Sequence, residues 1–192
     1  LQHHVVAHVD EVVVVDGGST DDTVAIAKSF GARVYHHPWA DHFAHQRDYT
    51  LDHATGDWVF IMDPDERHEL SLLQQLHSLV TEAGPKYERY DMVGFPRRNL
   101  IDGVQTSAYP DIQWRLFPRL DRIRFYGRLH ERPLGWKRML IVADAHIIHA
   151  KSAARQQAQT ERYERLKAMY GPGIEQWQRS LSDPSQFDPG RR

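Results

Sequence analysis

Cysteine is absent from the 192-residue sequence. That one absence removes disulfide frameworks, thiolate zinc sites and cysteine nucleophiles together, and it suits a reducing cytoplasm. No apolar run approaches the roughly 18 residues needed to span a bilayer, and the start carries no basic patch followed by an apolar stretch. Neither a transmembrane segment nor a secretory leader is therefore expected. Runs of five or more Lys or Arg are missing, and 24 basic against 26 acidic residues leave a net charge of −2, so a nucleic-acid partner is not expected. Internal repeats and low-complexity stretches are also lacking. The remainder, 41% hydrophobic and 26% charged, is the balance of an ordinary globular chain long enough for one core.

Val12, Val13, Val14 and Val15, bounded by Asp10-Glu11 and Asp16-Gly17-Gly18, read as a strand buried on both faces. Ser19 is placed to cap a following helix, with Asp22 three residues on and Gly31 closing it. The order repeats: a strand over 33–35, a helix over 44–54, a strand over 58–62, then leucines and a valine (Leu70, Leu73, Leu76, Val80) at helical spacing up to Gly84-Pro85. Alternating strands and helices make the class α/β. From Asp91 onward shorter strands are expected over 92–95, 114–117, 123–126 and 140–142, with a mobile polar loop over 101–111. Residues 152–170 are expected to form one amphipathic helix, and the last twenty residues a loose tail.

In open α/β sheets, ligands bind beyond the carboxyl ends of the strands. Two acidic turns fall there, Asp16-Gly17-Gly18-Ser19 and Asp63-Pro64-Asp65-Glu66. Carboxylates two residues apart, as Asp63 and Asp65 are, suit a hard divalent cation, Mg2+ or Mn2+, that holds a diphosphate and neutralises a departing phosphate. Chance alone yields about 1.5 D-x-D triplets at this aspartate content, so the placement carries the inference. A second reading stays open: both aspartates simply face the positive end of a helix starting near Arg67.

The stretch from Asp10-Glu11 through Asp16-Gly17-Gly18-Ser19-Thr20-Asp21-Asp22-Thr23, then Gly31-Ala32, Pro38-Trp39, Gln46-Arg47, Ala54-Thr55-Gly56-Asp57-Trp58 and Asp63-Pro64-Asp65-Glu66, resembles the front half of a family 2 glycosyltransferase. Further on, Pro96-Arg97-Arg98-Asn99, Tyr109-Pro110-Asp111, Arg115-Leu116-Phe117, Gly127, His130-Glu131 and His149 resemble the branch containing lipopolysaccharide core glucosyltransferases. The resemblance implies a GT-A fold, a Rossmann-like and mostly parallel sheet with flanking helices over residues 1–150, followed by a helix and tail over 151–192. Members open with a strand and a helix ahead of the Asp10-Glu11 position, so the expectation is a domain without its first strand and with an open slot in its sheet. The implied reaction moves a sugar, with inversion, from a nucleotide-diphosphate sugar, UDP-linked first, to a hydroxyl of a saccharide or glycolipid acceptor. Cell-envelope polysaccharide or lipopolysaccharide synthesis at the inner face of the membrane is the implied setting.

By position, the resemblance makes Asp16 an acceptor from the nucleotide base and puts Arg47 near base and diphosphate, with Asp48 where the family often has Asn. Asp65 becomes the principal metal ligand, Asp63 touches ribose or a metal-bound water, Glu66 supports the turn and His149 adds a ligand. Glu131 is the candidate general base, since an attacking hydroxyl must lose its proton to one carboxylate; its other reading is a surface partner of Arg128 or Arg132. Tyr109, Asp111 and Trp114 would form an acceptor platform, with Trp114 as ordinary core the alternative. Lys151, Arg155, Arg162 and Arg165 give the last helix a basic side, either solvated or touching anionic lipid in peripheral contact. Two other functions remain open: a nucleotide-sugar or metal-binding module without turnover, and a nucleotidyltransferase, for which a Gly-rich basic phosphate loop is lacking.

Overall fold

The computed structural model describes residues 3–171. In chain order the elements are α1 (His3–Val6), β1 (Val13–Asp16), α2 (Thr23–Ser29), β2 (Arg33–His36), α3 (Phe43–His53), β3 (Trp58–Phe60), β4 (Glu66–His68), α4 (Leu70–Glu82), β5 (Met92–Ile101), β6 (Val104–Gln105), β7 (Asp111–Pro118), β8 (Arg124–Tyr126), β9 (Arg132–Leu134), β10 (Met139–Ile141), β11 (Ile147–Lys151) and α5 (Ala153–Tyr170). Seven strands form the main sheet along the order β3-β7-β5-β11-β4, with β10 and β6 also on β5. β10 and β11 run parallel to β5, whereas β3–β7, β5–β7 and β4–β11 are antiparallel, so the sheet is mixed. β1 and β2 pair parallel as a separate two-stranded sheet, and β8–β9 form a small antiparallel ribbon.

Alternation along β5 and β7 divides the core between two faces. Val93, Phe95 and Leu116 meet Leu72, Leu73, Leu76 and Leu79 of α4, together with Val5 of α1 and Ile147. Met92 and Phe117 meet Ala44 and Leu51 of α3 and Phe125 of β8. Each leucine buried under the sheet is worth about 1.5–3 kcal/mol, so α4 is the main clamp on that face. Leu70, read as a core position, is 49% exposed; Leu72 and Leu79 take the buried places beside Leu73 and Leu76.

The valines of β1 are only half-buried, because β1 hydrogen-bonds to β2 on one edge and to no strand on the other among the described residues. Helix α2 begins at Thr23, with Asp22 rather than Ser19 at the cap position: the Ser19 amide donates to the Asp16 carboxylate, and Asp21 Oδ1 takes the Thr23 amide. The expected polar loop over 101–111 is partly strand. Ile101 faces Val104 across a two-residue turn, Asp102 at φ 48° and Gly103 at φ 81°, the left-handed pair that tight hairpins require. Ser152 caps α5 through its Oγ, which accepts the Arg155 amide at 3.2 Å. The expected tail lies outside the described residues.

One irregularity in β7 places a buried cation beside the acidic turn. Pairing steps from Val93↔Leu116 to Gly94↔Trp114, which leaves Arg115 as the extra residue of a bulge. A bulge turns two successive side chains toward one side of the sheet, so Arg115 and Leu116 share the α4 face while Trp114 points the other way. Opposite Trp114 only glycine fits: a Cβ on Gly94 would sit 2.7 Å from Trp114 Cζ3 and 2.8 Å from Ile112 Cγ2.

Candidate active site

The acidic turn follows β3, as the sequence predicts, but β4 separates it from α4. The reading in which Asp63 and Asp65 merely start a helix near Arg67 therefore fails, since residues 66–68 are extended and the helix begins at Leu70. The Glu66 amide donates to the Asp63 carbonyl at 3.0 Å, and Glu66 Oε2 accepts the Asp63 amide at 3.3 Å, so Glu66 braces the turn as expected.

From that turn a line of alternating charges crosses the end of the sheet. Glu131 Oε1 accepts Arg47 Nε at 2.5 Å, and Arg47 Nη2 reaches Asp63 Oδ1 at 2.6 Å. Arg115 Nη2 joins Asp63 Oδ2 at 2.7 Å to Glu66 Oε1 at 2.5 Å. Arg97 links Glu66 Oε1 at 3.0 Å to Asp111 Oδ2 at 2.7 Å. Asn99 Nδ2 donates to Asp111 at 2.9 Å, Asn99 Oδ1 meets His149 Nδ1 at 2.8 Å, and His149 Nε2 stands 3.1 Å from Asp65 Oδ2. Six predicted site residues thus sit in one network: Arg47, Asp63, Asp65, Asp111, Glu131 and His149.

Local structure explains how distant segments converge. The first amides of α3, on Phe43 and Ala44, donate to the carbonyls of Arg128 and Gly127, which docks the loop carrying Glu131 beside Arg47. Gly127 holds φ 104° there, a left-handed value suited to glycine. His42 Nδ1 accepts the His45 amide at 3.3 Å and closes the same helix start. On the far side, β11 lies between β4 and β5 and brings His149 level with Glu66 and Asn99.

Burial alone would raise the Asp63 carboxyl, yet the guanidiniums of Arg115 and Arg47 hold it far below the ordinary carboxylate range. Asp65 is lowered chiefly by its hydrogen bond to His149, against the opposing effect of burial. Burial likewise works against the charge on Arg47, and Asp63 and Glu131 more than restore it. The cation-binding geometry departs from expectation here: both Asp63 oxygens are engaged by arginines, so Asp63 and Asp65 do not form a paired grip. The two positions fit for a cation are Asp65 and His149. Asn99 Nδ2 is used on Asp111, so its Oδ1 must take a proton from His149 Nδ1, and Nε2 then faces Asp65 with either a second proton or a lone pair. A lone pair beside a carboxylate oxygen is an arrangement that a divalent ion would bridge. Arg155, at 3.8 Å, is the nearest competing cation at Asp65. No group of three or more His, Cys, Asp or Glu placed to hold a metal occurs among the described residues. Mg2+ characteristically takes one or two protein carboxylates and completes its shell with phosphate and water.

Asp16 stands apart from this network. It is buried, and its oxygens accept the amides of Gly18 at 3.1 Å and Ser19 at 3.1 and 3.2 Å, with His36 Nδ1 at 3.4 Å. The Ser19 hydroxyl, then burial in the opposite sense, then these amides set its lowered carboxyl. Its link to the rest runs through Gly17 to Trp39, and from Trp39 to Phe43 at 4.7 Å between rings. The acceptor platform is not assembled. Trp114, on the opposite face of β7, stacks with Trp136 at 5.9 Å; Asp111 is tied to Arg97, Asn99 and Gln113; Tyr109 bonds His146 at 3.0 Å. Arg115 carries no role in the sequence expectations, although a lone arginine within Trp114-Arg115-Leu116-Phe117 is the available sign of a buried cation.

The family profile for glycosyl transferase family 2 matches residues 3–140. The chain belongs to that family. A TPR repeat-containing protein of Synechococcus elongatus is 44% identical over 124 residues, 64% of this chain and 28% of its own length. The SPbeta prophage-derived glycosyltransferase SunS of Bacillus subtilis is 25% identical over 68% of this chain and 30% of its own length. An uncharacterized glycosyltransferase of Rickettsia typhi is 38% identical over 62% of this chain and 38% of its own length. This family 2 chain thus spans about a third of the length of the curated relatives it matches. In fold it is similar to S. aureus TarS 1–349, solved in complex with UDP-GlcNAc, with a TM-score of 0.57 at 18% identity over 77% of this chain and 53% of that one. The architecture is accordingly the GT-A α/β fold. No helix among the described residues is long and apolar enough to cross a membrane.

Proposed function

We propose that this family 2 chain binds a nucleotide-diphosphate sugar, UDP-linked first, and transfers the sugar with inversion to a hydroxyl of a saccharide or glycolipid. The observation that carries the reading is the joining of Glu131, Arg47 and Asp63 to Asp65 and His149 in one charged network beyond the end of β3. Glu131 keeps one oxygen free of Arg47 to take the proton of the attacking hydroxyl, a contribution of about 10²- to 10⁴-fold. Arg47 orients that carboxylate, and Asp63, fixed by two arginines, holds the turn so that Asp65 and His149 face the donor. A divalent ion held by Asp65 and His149 would supply charge neutralisation at the departing diphosphate. Asp16 closes the nucleotide side of the crevice. A cytoplasmic setting, the absence of cysteine supporting it, and an envelope polysaccharide or lipopolysaccharide product belong to the same proposal.

Binding without turnover is the second reading, and the solitary β1–β2 sheet favours it, because among the described residues the strand ending at Asp16 has no partner on its other edge. Calorimetric titration of nucleoside diphosphates, with and without Mn2+, against the chain and its Asp65→Asn variant tests the site. Metal-dependent binding that the variant loses is the expected result. Equal binding by both, or none by either, overturns the assignment, and release of nucleoside diphosphate from a sugar donor with an acceptor present separates transfer from binding alone.

A further inference from the structure

A second charged site lies at the other end of the sheet. A cavity of about 320 Å³ is lined by Lys86, Tyr87, Asp91, Arg122, Lys137 and Arg138, four cations against one carboxylate. That carboxylate is fully engaged. Asp91 is 1% exposed, and its oxygens accept Arg122 Nη2 at 2.7 Å, the Lys137 amide at 2.8 and 3.0 Å and the Arg138 amide at 2.8 Å. The knot around Asp91 therefore fixes three of the cationic residues by their backbones or by one guanidinium arm. Among the described residues, the side chains of Lys86, Lys137 and Arg138 make no hydrogen bond or ion pair.

The opposite wall shows a second irregularity. Lys86 and Tyr87, neither of them glycine, both adopt left-handed backbone, φ 54° and φ 58°. Such values are sparsely populated for residues with a Cβ and persist where the surroundings enforce them. Here the Tyr87 amide donates to the Gly84 carbonyl and the Arg89 amide to the Ala83 carbonyl, while the Tyr87 ring rests edge-on against Trp58 at 5.6 Å. Two segments thus hold the unpaired cations Lys86, Lys137 and Arg138 around one hollow, and a third adds Arg122, paired with Asp91. Asp91 precedes the first residue of β5, and Arg97 lies six residues on, so roughly 20 Å separate the hollow from the charged network.

The geometry points to an anion-binding site at this hollow for a phosphomonoester or diphosphate group, separate from the sugar-transfer crevice. Converging cations from three segments match an anion with several acceptor oxygens, and the free Arg138 fork suits phosphate better than a single carboxylate oxygen does. The inference does not depend on the proposed transfer reaction, and its test keeps the two apart.

Inorganic pyrophosphate is titrated calorimetrically, with chelator present to remove divalent metal, into the wild-type chain, Asp65→Asn and the double variant Lys86→Gln/Arg138→Gln. Both substitutions leave the Asp91 knot intact, and an unchanged melting temperature verifies folding. Wild type and Asp65→Asn should bind alike, and the double variant at least about tenfold more weakly, the loss expected for charge-assisted contacts. A second arm sediments the chain with phosphatidylcholine vesicles containing phosphatidic acid. Co-sedimentation lost in the double variant supports the site and assigns the phosphate to a lipid headgroup; pyrophosphate binding without co-sedimentation supports it and assigns a soluble ligand. No pyrophosphate binding at millimolar concentration, equal binding by the double variant, or loss in Asp65→Asn overturns the proposal.

Discussion

Replacing Arg115 with methionine keeps most of the side-chain volume and removes the charge that joins Asp63 to Glu66. The Arg115 side chain is 5% exposed and that of Glu66 0%, so neither is screened by solvent, whereas Asp63 at 25% is partly wet. Removing one member of a buried ion pair destabilises by about 3–5 kcal/mol. Arg97 still serves Glu66 and Arg47 still serves Asp63, which places the expected loss near the lower end, about 3 kcal/mol. Against a total stability of about 5–15 kcal/mol, that is a large fraction. Urea unfolding followed by tryptophan fluorescence, at about pH 7, measures it.

Acid supplies an independent check. The folded Asp63 carboxyl lies below its unfolded value of 3.8, so its contribution is full above that value and is lost as pH falls through the lower folded one. The difference between wild type and Arg115→Met should therefore be widest above about pH 5 and should narrow only as pH falls below the unfolded value toward the depressed folded one. A loss below about 1 kcal/mol, or a difference that does not change with pH, would refute the pairing of Arg115 with an ionised Asp63.

Glu131→Gln should lower the transfer rate by about 10²- to 10⁴-fold with the donor's dissociation constant little changed, read from initial rates and calorimetry. Gly94→Ala pushes a methyl group into Trp114 and Ile112, and a stability loss of about 1–3 kcal/mol is expected from the shift in urea midpoint. His42 is lowered from 6.5 to about 4 by burial and by the neighbouring His45 and Arg128, so its contribution, present above 6.5, is lost as pH falls toward 4. His42→Asn, which can still cap α3 but does not titrate, should flatten the stability profile across that window. An unchanged slope would mean that protonation of His42 does not open the helix start.

Local signals mark the elements that rest on local physics. The valines of β1, the leucine spacing of α4 and the span of α5 are visible because periodicity acts over a few residues, whereas the Ser19 cap read in the same way gives way to the Asp16 turn. The acidic turn is legible for the same reason: it directly follows a short apolar strand. β4, β9 and β11 leave no such mark, being three to five residues long and held by pairing with segments remote in the chain. Asp102-Gly103 is a hairpin signal, but it sits in a stretch whose polarity otherwise reads as loop. Within the site, the acidic turn points to Asp63 and Asp65 and the family resemblance adds Glu131 and His149, but no pattern along the chain announces that Arg47 and Arg115 occupy both oxygens of Asp63. That depends on which groups the fold brings within hydrogen-bonding distance, and it moves the proposed cation site toward the Asp65 end.

The bulge in β7 makes substitution and deletion at residue 115 different experiments. Exchanging the side chain keeps the bulge and empties a position; excising the residue removes the bulge, so that Leu116 opposite Val93 and Trp114 opposite Gly94 become successive pairs on their present faces while the cation at the acidic turn is lost. Deletion therefore straightens the strand without reversing its faces, and its comparison with Arg115→Met separates what the local bend contributes from what the charge contributes.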